Sequence, residues 1–213
     1  TDRDLPSRTA DDLFWLGRYI ERCDGGARAY RILLTQVADN ATDRGQATEM
    51  VAHLLARLEL FSSPKPNLTN LHQQGYTPIF ASQLLNSEQQ SGFGKLIQDI
   101  YHLASEVRER LSPDAWRIFG ALQREPIPTA DPAATLNYLD RQLERLSALN
   151  GQIQENMTRG YGWRLLELGR GLERGQFARI ALNELVNDDV NPMKLHLLLE
   201  LCDSAITYRA RYQ

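Results

Sequence analysis

A chain of 213 residues that is 42% apolar, 24% charged and 8% aromatic can bury one sizeable core, and its apolar fraction excludes a disordered or low-complexity architecture. A net charge of −3 with a pI near 5.8 argues against a general phosphate-backbone binder, so no nucleic-acid partner is expected. No apolar run approaches the roughly 18 residues of a membrane span, and Cys23 and Cys202 alone make no disulfide framework, so the expectation is one cytoplasmic domain over residues 1–213, away from membranes. The opening Thr1-Asp2-Arg3-Asp4-Leu5-Pro6 has no signal-peptide pattern and no initiating Met; the domain is expected to be excised from, or truncated relative to, a longer protein.

The periodicity is helical from end to end. Thr9 with Asp12 three residues on forms a capping pattern before Leu13, Phe14, Leu16 and Ile20, and the apolar spacing continues through Tyr30, Leu33, Leu34 and Val37 as a long first helix. A second helix is predicted from about Gln46 to Phe61, with Met50, Leu54, Leu55, Leu58 and Phe61 on one stripe. Two prolines and polar neighbours make 61–70 a loop, and 78–90 reads as a short helix and a polar turn. Gly94–Leu111 is helical again. Ser112-Pro113, Asp131-Pro132 and Asn191-Pro192 each place a capping side chain before a proline at the first helical position. They open stretches whose later members run over about 132–157 and 193–212, with 161–186 between. Alternating Val/Ile/Thr-rich runs are nearly absent. The predicted fold is all-α, a single bundle of about six or seven helices.

Two of the long helices share an internal repeat. Leu16-Gly17-Arg18-Tyr19-Ile20-Glu21-Arg22 and Leu168-Gly169-Arg170-Gly171-Leu172-Glu173-Arg174 are both L-G-R-x-[IL]-E-R. Helical spacing puts Arg18, Glu21 and Arg22 on one face, and likewise Arg170, Glu173 and Arg174. A carboxylate between two guanidiniums can accept paired bonds from either side. Gly17, Gly25, Gly26, Gly169, Gly171 and Gly175 sit in or beside these helices at a cost of roughly 1 kcal/mol each relative to Ala, which close helix–helix approach would offset. Two readings stand side by side: glycine-notched helices that cross while their charged sets clamp each other, or a ligand-facing Arg/Glu cluster.

A third constellation closes the chain, with Glu200, Asp203 and Thr207 on one helical face and Arg211 one turn beyond, beside Tyr208. Its acids are expected to pair with the surplus arginines of the repeat. Asn156-Met157-Thr158-Arg159-Gly160-Tyr161-Gly162-Trp163-Arg164 forms a helix–Gly–helix junction ahead of the second repeat. His53, His72, His102 and His196 show no i, i+4 pair, and no Cys-x-x-Cys, phosphate loop or nucleophile elbow occurs. No metal is expected, although Glu200, Asp203 and a repeat glutamate could assemble a carboxylate site, and no independent catalytic set is recognisable.

Leu5-Pro6-Ser7-Arg8-Thr9-Ala10-Asp11-Asp12-Leu13-Phe14-Trp15-Leu16-Gly17-Arg18-Tyr19-Ile20-Glu21-Arg22 resembles the opening of the bacterial alpha-E domain family. Asn156–Arg164 with Leu168–Arg174 resembles its middle signature, Glu200–Ser204 with Thr207–Tyr212 its late one, and Val107–Ser112 a fourth. The resemblance implies an all-helical domain found fused to, or encoded beside, circularly permuted ATP-grasp ligases and transglutaminase-like peptidases. It implies an accessory, substrate-handling role in an ATP-grasp-type amide (peptide) ligase system. The partners would be an ATP-grasp ligase module and a small amino-acid or peptide ligand. ATP and Mg are expected on that module only, with no cofactor in this domain. The ligand-binding set would be Arg18, Glu21, Arg22, Arg164, Arg170, Glu173, Arg174, Glu200, Asp203, Tyr208 and Arg211. The competing expectation is a structural or protein-interaction scaffold whose Arg-Glu-Arg clusters are internal ion-pair networks.

Overall fold

The computed structural model describes residues 5–38, 45–60, 92–128, 131–186 and 191–212. Every regular element among them is helical: α1 (Ser7–Ala38), α2 (Gly45–Arg57), α3 (Phe93–Glu106), a 3-10 turn (Arg108–Arg110), α4 (Pro113–Arg124), α5 (Pro132–Asn156), α6 (Tyr161–Val186), α7 (Pro192–Leu201) and α8 (Ala205–Tyr212). The fold is all-α, as the periodicity predicts. The predicted loop at 61–70 and the short helix and turn at 78–90 lie outside the described residues.

Three helix starts follow the capping chemistry, whereas α1 begins at Ser7, so the expected Thr9–Asp12 cap falls inside the helix. Ser112 Oγ accepts the Ala115 N–H at 3.1 Å, the Asp131 carboxylate accepts those of Ala133 and Ala134 at 3.1 Å each, and Asn191 Oδ1 accepts that of Lys194 at 2.9 Å. Each cap satisfies amides that have no intrahelical partner and is worth about 1 kcal/mol. A proline follows in each case, where its missing N–H costs nothing.

Two helices end on a left-handed residue that is not glycine. After α2, Glu59 has φ 58°, with Glu59 N–H donating to Ala56 at 3.2 Å and Leu60 N–H to Leu55 at 3.0 Å. After α7, Asp203 has φ 50°, with Asp203 N–H donating to Glu200 at 3.1 Å and Ser204 N–H to Leu199 at 2.8 Å. Both closures have the bonding of a Schellman motif. The first turns Leu60 inward against Gly26, where the Leu60 carbonyl accepts the Tyr30 hydroxyl. The second corrects the sequence reading. The stretch 193–212 is two helices, so Glu200 and Asp203 do not share a continuous stripe with Thr207 and Arg211, and the described helices number eight rather than six or seven.

α1 occupies the middle of the bundle, packed by α2, α3, α5, α6 and α7, whereas α6 packs on α1, α2 and α7. On α1, Leu16, Ile20, Cys23, Ala27 and Tyr30 recur at helical spacing and are wholly buried. Tyr30 meets Phe93 of α3 edge-on at 5.6 Å, and Arg31 reaches Asp140 of α5 at 3.1 Å. Burial pushes the Cys23 thiol far above its ordinary range, with the nearby Asp24 charge adding to the effect. Among the described residues no helix is long and apolar enough to cross a membrane.

Candidate functional site

α1 and α6 run side by side in the same direction, and the two repeat glycines are where they touch. A Cβ on Gly17 would stand 2.0 Å from the Leu166 carbonyl oxygen, and one on Gly169 2.1 Å from that of Phe14. Both obstacles are backbone, so no side-chain motion relieves them, and any larger residue must push the helices apart. Further along, Gly25 receives the face of Phe177, with a Cβ placed 2.7 Å from its ring, and Gly26 receives Leu60. Gly17 and Gly169 bear out close helix–helix approach, while Gly25 and Gly26 make room for side chains. Gly171 and Gly175 do neither: both are exposed, with nothing within 4 Å of a built Cβ.

The close crossing decides which charges meet. Local geometry lets each glutamate pair within its own triplet, but in the structure the partners are exchanged between helices. Glu173 takes Arg22 Nε on Oε1 at 2.6 Å, and on Oε2 Arg18 Nε at 2.6 Å and Arg22 Nη2 at 3.3 Å. Glu21 takes Arg174 Nε on Oε1 at 2.7 Å, and on Oε2 Arg174 Nη2 at 3.0 Å and Arg170 Nε at 3.3 Å. Each glutamate therefore holds one arginine in a two-pronged grip and a second by its Nε. Glu173 and Arg170 are buried, with side-chain exposures of 1% and 8%, whereas Arg174 is 64% exposed. A buried charge is tolerated only when paired and hydrogen-bonded, and here both carboxylate oxygens of each glutamate are engaged. The hydrogen bond from Glu21 raises the Arg174 pKa above its ordinary value, burial opposes this, and the charges of Glu21, Glu167 and Asp24 add to it.

Four contributors were not singled out in the sequence. Arg18 Nη2 donates to Gln176 Oε1 and Arg170 Nη1 to Glu167 Oε1, both at 2.9 Å. The Arg18 guanidinium lies 5.5 Å from the centre of the Trp15 ring, and that of Arg22 5.7 Å from Tyr19. Trp15–Arg18, Tyr19–Arg22 and Glu167–Arg170 are all i, i+3 pairs, a spacing readable in the sequence. Beyond the arginines, Trp15 and Tyr19 border an open cleft of about 290 Å³ that also takes in Asp11, Asp12, Asp99 and His102.

The remaining expected residues stand apart from the cross. Arg164 lies exposed in the first turn of α6, 6.0 Å from the Tyr161 ring centre. Glu200 pairs with His196 at 3.2 Å, and Asp203 with Arg28 at 3.3 Å, not with repeat arginines. Arg28 also holds Asp24 at 2.9 Å. Burial would lower the Arg28 pKa, but the hydrogen bond and charge of Asp24, with Asp203 and Glu21 behind, raise it. A chain of charges therefore leads from the cross toward Asp203. Tyr208 stacks at a tilt on Tyr212 at 5.1 Å, and Arg211 is exposed. Among the described residues no group of three His, Cys, Asp or Glu side chains could hold a metal ion.

Residues 5–213 match the model of the Alpha-E family, described as a predicted alpha-helical domain with a conserved ER motif. Glu21-Arg22 and Glu173-Arg174 are the two Glu-Arg pairs that exchange partners across the crossing. The chain is 24% identical over 227 aligned residues to the uncharacterized protein Rv2567 of Mycobacterium tuberculosis, and equally to Mb2597 of Mycobacterium bovis; the alignments cover 96% of this chain and 25% of each relative. The chain thus spans about a quarter of the length of the curated relatives it matches. No solved structure matches it.

Proposed function

The chain belongs to the Alpha-E family, and from that premise we propose that it is a helical accessory module of a longer ATP-grasp-type amide ligase system, in which the Arg-Glu-Arg cross sets the rigid geometry of the module. The reciprocal saturation of Glu21 and Glu173 across a glycine crossing carries the structural part of this reading. Groups this thoroughly engaged by one another serve shape before chemistry. The ligase part is supported by the signature resemblance, and the modular part by the presence of the matched region within relatives four times its length. In this reading the module works in the cytoplasm. ATP and Mg are held on the ligase module, and no cofactor is held here.

A second role is favoured by one observation. Arg174 commits Nε and Nη2 to Glu21 while most of its side chain faces solvent, leaving Nη1 to receive the carboxylate of a small amino-acid or peptide ligand. The test is product formation and ADP release by the complete ligase system. Deleting the module should abolish turnover, and Glu173→Ala, which weakens the module's fold, should lower it. Arg174→Met should leave the fold intact and raise the substrate concentration needed for half-maximal rate. A system that turns over undiminished without the module overturns the accessory role.

A further inference from the structure

The repeat makes α1 and α6 comparable position by position, because Gly169 follows Gly17 by 152 residues and the matching motif residues keep that offset. On α1, the positions Leu16, Ile20, Cys23, Ala27 and Tyr30 form one face with no exposure at all, covered in the bundle around α3 and α5. The equivalent positions on α6 are Leu168, Leu172, Gly175, Arg179 and Leu182. There Leu168 is 52% exposed, Leu172 51% and Leu182 48%, and Gly175 and Arg179 are also exposed. One face of the repeat is core in its first copy and bare in its second.

Two features say what belongs on the bare face. Gly171 and Gly175 interrupt it where a built Cβ would meet no neighbour within 4 Å, although the same residue type at Gly17 and Gly169 admits a crossing helix. A surface of this kind, with leucines flanking glycine notches, accepts the apolar ridge of another helix. The exposed charges beside it are Arg164 and Arg179, 15 residues or about 22 Å apart along the axis. The acids of α6 are all engaged: Glu167 by Arg170, Glu173 by Arg18 and Arg22, and Glu184 by Arg57. A second α6 would bring the same two arginines and no available carboxylate, so charge complementarity disfavours self-pairing.

We propose that this face of α6 seats one amphipathic helix from the polypeptide beyond these 213 residues, docking an apolar ridge over Gly171 and Gly175 and placing carboxylates on Arg164 and Arg179. The alignments cover 25% of each mycobacterial relative, so in those proteins the matched region is part of a longer polypeptide. The inference needs a longer polypeptide but no particular reaction, so it stands or falls separately from the ligase reading.

The test is cysteine accessibility. In a Cys202→Ser background, Leu172→Cys and, separately, Leu168→Cys are alkylated with a maleimide in the 213-residue chain and in the full-length polypeptide that carries it. Ser147→Cys on the exposed side of α5 is the control. The expected result is at least a tenfold slower reaction at both leucine positions in the full-length protein, with the control unchanged. Cross-linking from position 172 should reach a helical peptide outside residues 1–213 that carries carboxylates. Adding Arg164→Glu with Arg179→Glu should restore fast labelling. Equal rates in the two proteins, or protection that depends on concentration with cross-links from α6 to α6, overturns the proposal. Labelling that stays slow in the charge-reversed variant overturns its carboxylates.

Discussion

The two halves of the cross are built from the same seven-residue pattern yet satisfy their arginines differently. Arg18 has Trp15 one turn before it and Gln176 across the crossing, so beyond Glu173 its guanidinium is met by a ring and an amide. Its equivalent, Arg170, has Glu167 in the place of Trp15 and finds a second carboxylate. Asp24, the counterpart of Gln176, is taken by Arg28 instead. The Glu173 half therefore holds two guanidiniums on one carboxylate and leans on aromatic faces, whereas the Glu21 half has two carboxylates for its two arginines and opens to solvent at Arg174. A repeated motif fixes backbone approach and partner exchange, and the residues around it decide how costly each half is to break.

That asymmetry gives the largest expected effect. Glu173→Ala strands Arg18 and Arg22, which are mostly buried, without an alternative carboxylate, and breaking a buried pair of this kind costs about 3–5 kcal/mol. Glu21→Ala leaves Arg170 with Glu167 and Arg174 in water, and should cost less than half as much. Denaturant unfolding of the two variants measures the gap directly, and equal losses would show that the surrounding residues do not matter.

The glycines sharpen the contrast further because the sign itself should change. Gly169→Ala forces a methyl against the Phe14 carbonyl, an overpacking that costs about 1–3 kcal/mol or more. Gly171→Ala, two residues away on the open side, removes a helix-interior glycine without a clash and should stabilise the chain by about 0.5–1 kcal/mol. Thermal melting resolves both, since about 1 kcal/mol moves the midpoint of a domain this size by roughly 2–4 °C. A loss on Gly171→Ala would mean that α6 is covered on that face within the chain itself.

Much of this was legible in the sequence, because local chemistry carried it. The three cap-plus-proline signals open α4, α5 and α7 where they stand, and the motif glycines Gly17 and Gly169 mark the crossing. The clamping of one charged set by the other was one of two readings, beside a ligand-facing cluster; the parallel register of α1 on α6 is what brings each glutamate to the other helix's arginines. The break at Asp203 was hidden because a left-handed turn after α7 is formed by an aspartate, with none of the glycine that usually announces it. Gly171 and Gly175 looked like further crossing residues, and nothing in a one-dimensional pattern distinguishes a glycine facing a partner from one facing solvent. Glu200, still within α7, and Asp203, at the turn that ends it, lie beside His196 and Arg28 and not beside the repeat arginines.

The smallest effect is the most discriminating. Arg174→Met and Arg22→Met remove equivalent residues of the repeat, each the two-pronged partner of its glutamate. Arg22 is about 19% exposed and Arg174 64%. An exposed ion pair contributes about 0–1 kcal/mol, and Glu21 keeps Arg170 when Arg174 is lost, so Arg174→Met should lower the melting midpoint by no more than a few degrees. That small difference should shrink in about 1 M salt, where the screening length falls to about 3 Å. Arg22→Met leaves buried Glu173 with Arg18 alone, and its larger deficit should persist in salt because the pair is shielded from solvent. If both variants lost the same stability and both deficits faded with salt, the Glu173 half would be as open to water as the Glu21 half, and the buried brace would not exist in solution.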